Sequence, residues 1–185
     1  MNARSESDRS DRELVLRVRR GEVNDYGELV QRYQVSVFNI CYRLVGERRE
    51  AEDMTQEAFI RGFERLGLFD AERPFGPWIR RVAANLCLNR LNVKATPQVE
   101  LDEEFETLEE HLPGPEWVLV TKERSTAIRA ALLALPAHYR AVIELRHFQD
   151  MEYDEMAKML QLPINTVKSH LFRARKILAE RLEHV

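Results

Sequence analysis

Cysteine is scarce in this chain of 185 residues: Cys41 and Cys87 stand far apart in sequence, each within a helical pattern. So few exclude a disulfide framework and argue against a self-contained zinc site; a reducing, cytoplasmic location fits best. Glycine and proline number seven each, which leaves little room for long coil. Long apolar runs are missing as well. Each hydrophobic stretch is broken by charge, well short of the roughly 20 apolar residues that a membrane helix requires, so no membrane insertion is expected. The opening MNARSESDRSDREL is polar and lacks the apolar segment of a secretory signal. The sequence shows no phosphate-cradling Gly loop, no paired nucleophile and base, and no metal cluster. We therefore expect no catalytic residue, no cofactor and no metal.

What is present is helical periodicity and uneven charge. The formal net charge of −3 divides into +1 for residues 1–92, −7 for 93–116 and +3 for 117–185. Ser10 to Glu13, SDRE, reads as a capping box starting a short helix that runs to Gly21. From Tyr26, apolar residues recur at Leu29, Val30, Tyr33, Val37, Ile40, Cys41 and Leu44, steps of three and four that mark an amphipathic helix closed by Gly46. A third helix begins near Arg49, with Phe59, Phe63 and Leu66 on one stripe. GLFDAERPFGP reads as a loop, and WIRRVAANLCLNRL as a fourth helix. Between Lys94 and Pro115 the periodicity fails: three prolines and seven acids between Glu100 and Glu110 predict an extended linker. Helical patterning resumes at Trp117, running to about Leu135, then from Pro136 through Phe148, then over YDEMAKMLQ and INTVKSHLFRARKILAERL. The fold class is all-α: two small helical domains, 1–92 and 117–185, joined by an acidic flexible linker, 93–116.

Three patterns carry function. In the last helix Val167, Leu171, Ala174 and Leu178 share one side. Lys168, Ser169, Phe172 and Lys176 lie on the other, with Arg173 at its edge and no acid before Glu180. A solvated charged face is one reading. Uniformly basic character, a large aromatic among the charges and the short turn LQLP before the helix favour a helix-turn-helix whose second helix enters the major groove. Lys and Arg can donate to guanine or phosphate, Ser to either, and an aromatic can press a thymine methyl. In the third helix Asp53, Gln56 and Glu57 fall on one face and could meet a basic partner helix together; a solvated acidic face with internal Arg pairs is the alternative. In the fourth, Trp78, Arg81, Asn85, Asn89 and Asn92 form a stripe suited to an unpaired strand. Bases stack on rings and guanidinium planes while amides read exposed edges. Trp78 could equally be a core residue.

LPAHYRAVIELRHFQDMEYDEMAKMLQLPINTVKSHLFRARKIL resembles the C-terminal promoter-binding domain of bacterial sigma factors of the extracytoplasmic-function (ECF) group, and EAEDMTQEAFIRGFERL with FGPWIRRVAANLCLNRL resembles their N-terminal half. The resemblance spans about residues 11–92 and 117–180. Asn165 stands where the family most often has Gly, and Asn tolerates the same turn conformations better than other residues; Met156 stands for Ile. The resemblance implies that Asp53, Gln56 and Glu57 contact the clamp helices of the RNA polymerase β′ subunit. It further implies that Trp78, Arg81, Asn85 and Asn89, with the loop Leu68–Gly76 as a pocket wall, hold the melted −10 strand. Thr166, Lys168, Ser169, Phe172, Arg173 and Lys176 would read the −35 duplex. The linker would thread the polymerase's RNA exit path, where a polyanion suits a positively charged channel; a solubilising spacer is the plain alternative. Implied partners are core RNA polymerase (β′ and β subunits), promoter DNA and an anti-sigma protein. The sequence leaves two rival readings: a helix-turn-helix repressor or activator acting without polymerase, and, more remotely, a hydrolytic or RNA-modifying enzyme using the carboxylates of AEDMTQE.

Overall fold

The computed structural model describes residues 10–91 and 122–182, and every described element is helical. Helix α1 spans Asp11–Arg19, α2 Tyr26–Val45, α3 Arg48–Arg65 and α4 Phe75–Arg90. After the interval, α5 spans Lys122–Leu133, α6 Ala137–Ile143, α7 Tyr153–Leu160 and α8 Ile164–Leu182. The expected boundaries at 92/93 and 116/117, the acidic linker, Asn92 and the expected helix start at Trp117 lie outside the described residues.

The starts and stops follow from local chemistry. Ser10 accepts the Glu13 N–H at 3.2 Å, satisfying one of the donors that a helix leaves free at its start. Helix α2 ends on Gly46 at φ +87°, a left-handed cap that costs glycine little. Two residues later α3 begins. Its N-cap is Glu47, whose carboxylate accepts from Arg49 N at 2.9 Å and Glu50 N at 2.6 Å. Those two N–H groups hold its carboxyl below the ordinary carboxylate range. The third helix thus starts at Arg48, next to the expected Arg49.

Helices α2, α3 and α4 pack mutually, with α1 laid against α2. Leu29, Val37, Ile40, Leu44, Ala51, Ala58, Ile79, Ala83 and Leu86 fill the space between them. Phe63, expected on the buried stripe of α3, is 40 % exposed at its edge, where its ring meets Tyr26 edge-on at 5.1 Å. Tyr26 donates to the Phe59 carbonyl at 2.7 Å, and burial pushes its phenol well up from its ordinary range. Cys41 of α2 and Cys87 of α4, distant in sequence, are both fully buried and hydrogen-bonded to each other.

In the second bundle α8 packs on α5, α6 and α7. Pro136 caps α6, which widens into one π-helical turn over Glu144–Phe148. The sharp reversal between α7 and α8 is made by Gln161 at φ +57°. Asn165 lies in the first turn of α8. The left-handed residue is the one just after α7, where the Gln161 N–H closes back on the Ala157 carbonyl.

The two bundles touch directly. Helix α2 packs against α5, α6 and the turn after α6. There Arg43 forms a forked pair with Glu144, Nε–Oε2 2.6 Å and Nη2–Oε1 3.1 Å. Nothing in the periodicity of either half announced this contact.

Candidate nucleic-acid interfaces

Helix α8 places its two faces as the spacing requires. Val167, Leu171 and Ala174 are buried while Lys168, Phe172 and Lys176 are exposed, and Thr166, Ser169 and Arg173 sit half-buried at the margins. Phe172 is 46 % exposed. The Lys168 ammonium lies 5.6 Å from the centre of the Tyr153 ring on α7, a cation–π contact that steadies a long flexible side chain at modest energy. The arrangement can present two cations, a hydroxyl and an aromatic edge to a groove about 12 Å wide.

One residue on α8 behaves contrary to its polarity. His170 is 4 % exposed, turned inward, and neither ring nitrogen has a partner. His138 and Tyr139 of α6 pack against it at centroid distances of 5.0 and 5.5 Å. Burial, with the nearby His138 and Arg173, lowers its pKa from 6.5 to about 4. The imidazole is therefore neutral near pH 7 and serves as a core side chain that fixes α8 on α6.

On α3, Asp53 and Gln56 are exposed and Glu57 half-buried. Glu57 accepts from Arg61 Nε at 2.7 Å, so an internal Arg pair engages one of the three. Beside this face a cavity of about 350 Å³ opens between α2 and α3, lined by Gln34, Val35, Phe38, Glu52, Thr55 and Gln56. Val35 is 66 % exposed there, giving an acidic helix face an apolar neighbour.

The α4 stripe is a mixture of core and surface. Trp78 is half-buried, its ring 4.7 Å from Phe69 and 5.4 Å from Phe75. The ring thus packs on the aromatic core and stays partly accessible. Arg81 and Asn89 are exposed and Asn85 half-buried. The loop before α4 is held from below. The Arg19 guanidinium donates to the Leu66 carbonyl at 2.7 and 3.0 Å and to the Phe69 carbonyl. This tether buries Phe69 and leaves Leu68 90 % exposed. Arg19 could not be singled out from sequence, because its partners are main-chain carbonyls 47 and 50 residues away. Arg81 is engaged as well: its Nη2 lies 3.1 and 3.3 Å from the two oxygens of Glu155 on α7.

No metal-holding group of three or more His, Cys, Asp or Glu occurs among the described residues. No described helix is long and apolar enough to cross a membrane.

Comparison with known proteins accounts for both halves at once. Residues 29–95 match the family "Sigma-70 region 2" and residues 125–178 match "Sigma-70, region 4". The chain is 33% identical over 177 residues to the ECF RNA polymerase sigma factor SigW of Bacillus subtilis, covering 91% of this chain and 94% of that one. It is 31% identical over 183 residues to the ECF RNA polymerase sigma-E factor of Escherichia coli, covering 94% and 95%. Among solved structures, CnrH in complex with the cytosolic domain of CnrY matches with a TM-score of 0.58 at 22% identity, over 94% of this chain and 97% of that one. The sigma factor RpoE of Bartonella quintana, in complex with the anti-sigma factor NepR, gives 0.58 at 20% identity over 86% and 97%. A regulator acting without polymerase would leave the region 2 match unexplained. With both regions in order and relatives aligned along nearly the whole length, the chain belongs to the ECF group of the sigma-70 family of RNA polymerase sigma factors.

Proposed function

We propose that the three faces divide promoter recognition among them. Helix α8 reads the −35 duplex through Thr166, Lys168, Ser169, Phe172, Arg173 and Lys176. The α4 face of Trp78, Arg81, Asn85 and Asn89 holds the unpaired −10 strand against the loop that Arg19 tethers. Asp53, Gln56 and Glu57 dock on the polymerase's β′ clamp helices, with the apolar cavity between α2 and α3 beside them. The units that do this are 1–92 and 117–185, with 93–116 between them. The chain has no turnover of its own, works in the bacterial cytoplasm, and directs core polymerase to its promoters in response to a stress or envelope signal. Like the Bartonella quintana relative, it is held in check by an anti-sigma protein.

The observation that carries this reading is the split of α8, with three apolar residues buried while Lys168, Phe172 and Lys176 stay exposed on the opposite side. Solvent alone gives no reason to place a phenyl ring between two cations, whereas a DNA groove offers it a methyl group. The test is transcription in vitro with purified core RNA polymerase and a library of genomic fragments. The expected result is RNA starting at a defined set of fragments sharing two short elements. No initiation above core polymerase alone would sink the reading.

A further inference from the structure

Two arginines of α1 brace the loop that precedes α4. Arg12 and Arg19 are separated by about two helical turns, so both project from one side of α1. Leu14, Val15 and Val18 are buried, and α1 lies against the short 3₁₀ turn Leu66–Leu68 as well as against α2. Arg19 Nη2 donates to the Leu66 carbonyl at 2.7 Å and to the Phe69 carbonyl, while its Nε donates to Leu66 at 3.0 Å. Arg12 Nε donates to the Glu72 carboxylate at 2.9 Å. Between these struts the chain closes on itself: Asp70 Oδ1 accepts from Glu72 N at 3.1 Å, and the Asp70 carbonyl from Arg73 N at 3.0 Å.

The two braces are unequal. Arg12 and Glu72 are 58 and 71 % exposed at the side chain, a pair that water and salt reduce to little. Arg19 satisfies main-chain carbonyls where α3 runs out through its 3₁₀ turn. There the last carbonyls lack partners in their own helix, and a cation is favoured. Its planar fork fixes two carbonyls at once, which a lysine ammonium cannot reproduce. Fixing them sets the direction of the neighbouring side chains. Phe69 is 5 % exposed, its ring against Phe75 and Trp78, whereas Leu68 beside it is 90 % exposed. An apolar side chain held that far out of the core gains nothing from the fold, yet it offers a surface to a base turned out of its stack.

We propose that Arg19 is a positioning residue for the choice of base at the −10 element: it holds residues 66–69 so that Leu68 meets the unpaired strand while Phe69 backs Trp78, and it shapes the pocket without touching nucleic acid. This rests on the reading of α4 given above, in which Trp78, Arg81, Asn85 and Asn89 hold the strand against this loop. A base turned out of the stack is told from its competitors by the shape and contacts of its pocket, so a displaced wall admits more than one base. Without the fork the Leu66 and Phe69 carbonyls turn to water, and the stretch between them, which includes Gly67, loses its fixed course. The consequence is a loss of choice rather than of binding. Phosphate and stacking contacts survive, while the wrong bases are no longer excluded.

The test uses the full chain with core RNA polymerase, as wild type, Arg19→Met, Arg19→Lys, Arg12→Met and Asn85→Ala, on a responsive fragment and its single-base −10 substitutions. Arg19→Met keeps the packing of the stem and removes the fork. In that variant the ratio of initiation between the best and the substituted −10 bases should fall by about tenfold, the size of one lost base discrimination. Discrimination at −35 should stay as in the wild type. Arg19→Lys should recover only part of the −10 ratio, and Arg12→Met should shift it by about twofold or less. Hydrogen exchange at the Phe69 amide, bonded to the Leu66 carbonyl at 3.2 Å, should quicken in Arg19→Met. Asn85→Ala reports on the strand-holding face by itself. Unchanged −10 ratios in Arg19→Met beside altered ratios in Asn85→Ala would overturn the positioning role and leave the α4 reading in place. Unchanged ratios in both would remove the α4 reading and the positioning role with it. Equal losses at −10 and −35 in both Arg19 variants would mark the clamp as general support for the fold and overturn the proposal as well.

Discussion

His170 should make the C-terminal bundle sensitive to acid. The group is 4 % exposed, both nitrogens are unpartnered, and its pKa falls from 6.5 to about 4 on folding. A histidine whose folded value is depressed binds its proton more readily in the unfolded chain. Stability is therefore intact above 6.5 and is lost as the pH falls towards 4. The full depression corresponds to about 3 kcal/mol, of which about 2 kcal/mol should be gone between pH 7 and pH 5. That is a large share of the ~5–15 kcal/mol typical of a domain.

The groups that face His170 are His138 and Tyr139 of α6 and Arg173 of its own helix. Burial lowers His138 too, which adds loss of the same sign. Burial raises the Glu144 carboxyl, with Arg43 partly opposing, and that group works the other way, favouring the folded state as it takes up a proton. The informative quantity is thus the difference between wild type and His170→Leu, which removes one titration and two unsatisfied nitrogens. Amide hydrogen exchange on α6 and α8 reads this bundle without averaging over the other. Protection in the wild type should fall by about 2 kcal/mol more than in the variant over that pH range. Equal pH dependence in the two proteins would refute the assignment of a neutral buried imidazole.

Further outcomes follow from the same geometry. Lys168→Ala or Arg173→Ala should weaken −35 discrimination in the holoenzyme by about 1–3 kcal/mol if the contact is to a base; unchanged discrimination in both variants takes these residues out of the interface. Trp78→Leu fills part of the space beside Phe69 and Phe75 and should cost promoter opening about 1–3 kcal/mol through lost base stacking, measured by permanganate reactivity of the melted region, with −35 binding unchanged. Equal opening would mark Trp78 as a packing residue. The hydrogen bond that Cys87 donates to Cys41, together with burial, holds the Cys87 thiol far above its ordinary range, while Cys41, lowered by the same bond, is shut away from solvent. An aromatic disulfide reagent should therefore leave both thiols untouched in the native chain and titrate two after denaturation; rapid native reaction would show that α2 and α4 part readily.

How much was legible in the sequence depends on how far apart the cooperating residues lie. The eight described helices follow periodicities of three and four within single segments, and the split of α8 is one such pattern read twice. Phe63 and Trp78 are where that signal weakens. Each sits at the margin of an apolar stripe, so whether the ring is covered depends on a residue from another segment: Tyr26 at the start of α2 meets one ring edge-on and Phe69 of the loop packs against the other. Asn165 shows a different limit. A residue type suited to a left-handed turn was present, yet the turn fell at Gln161, because the helix register, set by Val167, Leu171 and Ala174 on the core, begins α8 at Ile164. The Arg19 clamp and the Arg43–Glu144 pair were beyond reach. They join residues 47 to 101 positions apart, and a lone arginine carries no mark of which distant oxygen it will meet.

Among the described residues, the inter-bundle pairs Arg43–Glu144 and Arg81–Glu155 differ in what they contribute to the contact. Arg81 and Glu155 are each 44 % exposed at the side chain, and water and salt screen such a pair to about 0–1 kcal/mol. Glu144 has no such relief. With 1 % of its surface accessible, it loses its hydration when the bundles meet, and the forked guanidinium must offset that loss. Removing one member of a pair buried in this way costs about 3–5 kcal/mol, mostly as an uncompensated charge. Opening differs from mutation, since separation returns water to both groups together. The net preference for closure is therefore much smaller than the mutational cost, and a modest competing interaction can reverse it.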